Sequence, residues 1–94
     1  MLYNNSQPER EEIARALRYL DWYFREHDTV ETPFGPQYTI NGYQLKEIRI
    51  MPGFIKLSIY MLDRSVQQKD DVNGGDEVSF TYYRKRQEIL LDND

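Results

Sequence analysis

The sequence predicts an α+β fold, with one N-terminal helix packed on a three- to four-stranded antiparallel meander sheet in two layers. Three observations predict it. Residues 8–27 repeat apolar side chains at helical spacing. Beyond Pro33 and Pro36 the texture changes to short runs rich in β-branched and aromatic residues. Asn41-Gly42 and Pro52-Gly53 divide those runs, and such dipeptides reverse a chain tightly enough to make neighbouring strands antiparallel. With 94 residues and no internal repeat, the chain reads as a single domain, 1–94: a tail over 1–6, a helix over 7–28 and a sheet region over 37–91.

The helix starts at Ser6-Gln7-Pro8-Glu9. Ser6 can cap, Glu9 can reach back as its capping-box partner, and Pro8 lacks only an N–H that the first turn does not use. Ile13, Ala16, Leu17, Leu20, Tyr23 and Phe24 form its apolar stripe. It should end near His27, because the Pro33-Phe34-Gly35-Pro36 loop cannot continue a helix. Gln37–Ile40, Asn41-Gly42 and Tyr43 onward read as a hairpin on a type I′ turn. The residues 45–51 and 54–62 form a second pair.

If Met51 lies opposite Phe54, one face of that pair carries Ile48, Ile50, Ile55, Leu57, Ile59 and Met61, a coherent core. The same register sets Arg49 opposite Lys56, unfavourable unless Glu47 or a ligand anion mediates. The polar stretch from Ser65 to Asp76 then leads to a strand from Val78 to Arg86, with Ile89, Leu90 and Leu91 as its extension or a terminal turn.

Composition excludes several kinds of function. Without cysteine there is no disulfide framework, thiol nucleophile or thiolate metal site, and a reducing, cytoplasmic setting is expected. Residues 1–8 lack the basic and apolar parts of a signal peptide, and no apolar run reaches membrane-spanning length. Asn4-Asn5-Ser6 matches a glycosylation triplet, which is common by chance. The net charge of -4 is moderate and the acids are scattered, which argues weakly against nonspecific DNA binding.

His27 is the sole histidine and has no catalytic motif around it; a capping or core-edge role at the helix end is favoured. The run Asp70-Asp71-Val72-Asn73-Gly74-Gly75-Asp76-Glu77 offers oxygens and glycines but not the acid spacing of a calcium loop, and reads as a solvated hairpin tip. One histidine and no cysteine leave only carboxylates for a metal, and no glycine-rich phosphate loop follows a strand. The expectation is therefore a non-enzymatic protein without cofactor or metal.

Two surfaces exceed what a monomer needs. Trp22, the only tryptophan, falls opposite Ile13 on the helical wheel, beside Arg15, Arg18, Tyr19 and Glu26. Trp, Tyr and Arg dominate binding hot spots, so Arg15, Arg18, Tyr19 and Trp22 are the candidate partner-binding residues. The competing reading has the Leu2-Tyr3 segment or the Phe34 loop fold over Trp22.

The reverse face of the sheet would carry Tyr43, Leu45, Met51, Phe54, Tyr60 and Leu62, a large apolar patch. Tyr43, Leu45, Tyr60 and Leu62 are accordingly the candidate self-association residues, with a homodimer favoured. These surfaces suit a protein-interaction module: a subunit of a larger assembly or an occluding inhibitor, of the kind found among phage and mobile-element accessory proteins.

The alternative is single-stranded nucleic-acid binding through the basic tyrosine run Tyr82, Tyr83, Arg84, Lys85 and Arg86, with Arg49 and Lys56. Against it, strand alternation would divide Phe80, Tyr82, Arg84 and Arg86 from Thr81, Tyr83 and Lys85. A small ligand held between helix and sheet is a third reading.

Overall fold

The computed structural model describes residues 6–62 and 76–92, with side chains from Glu9 onward. Helix α1 (Ser6–Glu26) precedes six strands: β1 (Thr29–Thr32), β2 (Gly35–Tyr38), β3 (Tyr43–Ile50), β4 (Phe54–Met61), β5 (Glu77–Tyr83) and β6 (Glu88–Leu91). Strands β3-β4-β5-β6 form an antiparallel meander, and β1-β2 a separate hairpin. The fold is thus α+β, a helix on a four-stranded antiparallel sheet with an added two-stranded hairpin. Among the described residues no helix is long and apolar enough to cross a membrane. The cap expected of Ser6 and the tip at 70–75 lie outside the described residues and side chains.

The core lies between α1 and one face of the sheet. Ala16 and Leu20 are completely buried against Ile55, Leu57, Ile59, Met61, Phe80 and Tyr82, while Ile13, Leu17, Tyr23 and Phe24 pack around them. The helical stripe therefore falls where its spacing predicts, but it is wider. Tyr19 joins it, its ring set edge-on to Tyr82 with centroids 5.2 Å apart.

The first hairpin differs from expectation. Thr29–Thr32 pairs with Gly35–Tyr38, so the reversal falls at Pro33-Phe34 and not at Asn41-Gly42. Pro33 supplies the fixed φ of the first turn position, and Gly35 takes φ 109, which a side chain would resist. The Thr32 hydroxyl accepts the Phe34 amide at 3.0 Å, which closes the turn locally. Asn41 instead ends a short 3-10 turn, and Gly42 leads into β3 with φ 86.

The register of β3 against β4 holds from the turn as far as Glu47: Ile50 faces Ile55, Ile48 faces Leu57, and Arg49 faces Lys56. Between Leu45 and Glu47 the register shifts by one residue. This bulge at Lys46 carries Tyr43 and Leu45 to the helix side, opposite Met61 and Ile59, and so corrects the expected reverse face. The residues Leu90 and Ile89 belong to a true fourth strand, joined to β5 through Arg84–Gln87 with Gln87 at φ 53.

Candidate interaction surfaces

The helix face expected to bind a partner is divided by the packing. Arg18 and Trp22 are exposed, Trp22 at 46%, whereas Arg15 and Tyr19 are half-buried on the flank that meets the sheet. The reason is the width of the stripe: Tyr82 projects from β5 far enough to engage Tyr19. Its hydroxyl is buried without a hydrogen bond of good geometry among the described residues. Burial pushes that hydroxyl's pKa up, and the Arg15 guanidinium nearby acts in the opposite direction. Phe34 is 79% exposed, so its loop is not buried over Trp22; the Leu2-Tyr3 segment lies outside the described residues.

The four residues expected on one sheet face are separated. Tyr43 and Leu45 stand on the helix side, while Tyr60 is on the reverse side and half-buried, with the Lys46 ammonium 5.8 Å from its ring centroid. Leu62 follows β4 and is half-buried, its amide donating to the Gly42 carbonyl at 3.2 Å. Tyr43 donates to Asp21 Oδ1 at 2.7 Å. Burial, then that hydrogen bond and the Asp21 charge, raises the Tyr43 pKa well above the ordinary phenol value.

The reverse face is chiefly polar rather than apolar. Lys56 donates to Asp92 Oδ2 at 2.5 Å, and Thr81 donates to Asp92 Oδ1 at 2.7 Å, a cluster that ties β4, β5 and the end of β6. Lys46 pairs with Glu77 at 3.0 Å, and this partner raises the lysine pKa. Exposed apolar side chains are spread over the surface: Leu45 and Ile50 on the edge strand β3 are 38% and 37% exposed, and Phe34, Tyr38 and Ile40 are more exposed still.

The basic tyrosine run is largely committed to the fold. Tyr82 is core, Arg84 pairs with Glu12 and donates to the Met51 carbonyl at 2.9 Å, and Arg86 lies over the Tyr83 ring at 4.5 Å with Glu88 beside it. Arg49 and Lys56 are held by Glu47 and Asp92, which resolves the like-charge pairing the register imposes. Lys85 is exposed in the turn.

His27 stacks on Tyr23, with ring centroids 3.9 Å apart, and its Nδ1 lies 3.0 Å from the Tyr23 carbonyl, a helix-end contact. An open cleft of about 510 Å³ lies at this end of the helix, where Asp21 and Arg25 face Ile40 and Tyr43. Ile40, 87% exposed at its rim, carried no signal in a sequence that read as a hairpin there. Compared with protein-family models, curated proteins and solved structures, the chain matches none.

Proposed function

We propose that this protein is a non-enzymatic interaction module, which self-associates through its sheet and presents the outer helix face to a protein partner. It acts as a subunit of a larger assembly or as an occluding inhibitor, in the cytoplasm, in keeping with its lack of cysteine. The observation that carries this reading is Trp22. A tryptophan that stays half-exposed beside Arg18, although the same helix buries Ala16 and Leu20 completely, is surface that the packing of the described residues leaves open.

Affinity capture with wild-type, Trp22→Ala and Arg18→Glu baits tests it, with circular dichroism confirming that each bait is folded. The expected result is a partner retained at fixed stoichiometry by wild type and lost by both variants. Equal retention by both variants would overturn the assignment of this face.

A further inference from the structure

We propose that β3 is a self-complementary edge, through which two copies of this chain join antiparallel into one continuous eight-stranded sheet. The proposal deepens the self-association part of the proposed function and rests on that reading. Among the described residues no strand pairs with the outer edge of β3. At eight residues it is longer than most strands, and a long open edge is a template for another chain.

The backbone determines which residues face outward. The Met51 amide donates to the Phe54 carbonyl at 2.8 Å and the Leu62 amide to the Gly42 carbonyl at 3.2 Å. Antiparallel alternation from these two fixed points, with the bulge at Lys46 between them, leaves the peptide groups of Tyr43, Leu45, Ile48 and Ile50 directed at the open edge. The same four side chains lie on the helix side of the sheet.

The bulge makes the strand symmetric. From Tyr43 to Ile50 the side chains run in, out, in, out, out, in, out, in, a pattern unchanged on reversal about the Lys46–Glu47 bond. A two-fold axis there sets Tyr43 against the partner's Ile50 and Leu45 against the partner's Ile48, apolar on apolar, with all four outward peptide groups paired. On the other face Lys46 meets the partner's Glu47, twice by symmetry. Glu77 already holds Lys46, and Arg49 holds Glu47, so charges alternate in sign across the junction.

A slip of one residue either way brings Lys46 against the partner's Lys46, or Glu47 against the partner's Glu47. It also opposes every inward side chain to an outward one. Lysine and a bulge are ordinary defences of an edge against arbitrary strands. Placed centrally, they admit a second copy of this strand and reject others.

Sedimentation equilibrium over a concentration series tests the proposal on four proteins: wild type, Lys46→Glu, Glu47→Lys and the double variant. The expected result is a wild-type dimer whose affinity falls about tenfold or more in each single variant, from two like-charge contacts, and returns in the double variant. An equimolar mixture of the two single variants should form a heterodimer. Glu47→Lys leaves the Lys46–Glu77 pair intact but removes the carboxylate partner of Arg49, so urea unfolding of each variant accompanies the sedimentation and separates a lost dimer from a lost fold.

A wild-type monomer at all concentrations would overturn both the proposal and the self-association reading. A dimer indifferent to both single variants, or a double variant as weak as the singles, would overturn this register alone.

Discussion

Arg84→Ala should destabilise the fold by about 2 kcal/mol, although the residue sits in the run that reads from sequence as a nucleic-acid contact. In the structure its guanidinium joins three segments: it pairs with Glu12 of α1 and donates to the carbonyls of Met51 and Pro52, at 2.9 and 3.3 Å, in the β3–β4 turn. A charge-assisted hydrogen bond contributes roughly 1.5–3 kcal/mol, and the bond to Met51 has good length whereas that to Pro52 is long.

The ion pair, with side chains 25% and 29% exposed, falls between exposed pairs worth about 0–1 kcal/mol and buried ones whose rupture costs about 3–5 kcal/mol. A total of about 2 kcal/mol follows once solvent access to the unpaired groups is allowed for. With an unfolding entropy of about 2.1 cal/mol/K per residue, the melting temperature should fall by about 10 °C.

Urea and thermal unfolding monitored by circular dichroism would measure this, and a double-mutant cycle with Glu12→Ala should return a coupling of about 1 kcal/mol. A loss under about 0.5 kcal/mol, together with weakened binding of a single-stranded oligonucleotide, would refute the structural role and favour the nucleic-acid reading.

Leu20→Ala, which empties a fully buried site between helix and sheet, should cost about 3 kcal/mol in the same unfolding experiments; a cost below about 1 kcal/mol would mean that the helix does not pack there. Tyr43→Phe should cost about 0.5–1 kcal/mol at neutral pH through loss of the Asp21 bond. Because the folded pKa of Tyr43 is raised, its contribution is complete below about pH 10 and fades as pH rises above that. The gap between wild type and variant in urea titrations should therefore narrow above pH 10, and a gap that widens there would contradict the assignment.

Helical spacing sufficed to place α1, and Pro52-Gly53 sufficed to set the β3–β4 register near the turn, because both signals are local. The bulge was written as Leu45-Lys46-Glu47-Ile48, two polar residues between inward apolar ones, but strict alternation hides it. Asn41-Gly42 misled because Thr29–Thr32 takes Gly35–Tyr38 as its partner, and a turn dipeptide does not choose between partners.

The candidate sites were less legible for a physical reason. Which basic side chain is free depends on carboxylates distant in sequence: Arg84 on Glu12, and Lys56 on Asp92. The exposure of Trp22 and Arg18 was readable, since a wheel shows what points away from a stripe.

Trp22 also reports on itself, being the chain's only tryptophan. Its emission spectrum and acrylamide quenching in the dilute wild-type protein test most directly whether the outer helix face is free to receive a partner. The account predicts an emission on the red side of a buried indole's, quenched by acrylamide to an intermediate degree in keeping with 46% exposure, and shifting to the blue on partner binding. A blue-shifted emission resistant to acrylamide in the dilute protein would contradict it, because Trp22 would then be surface the chain already covers.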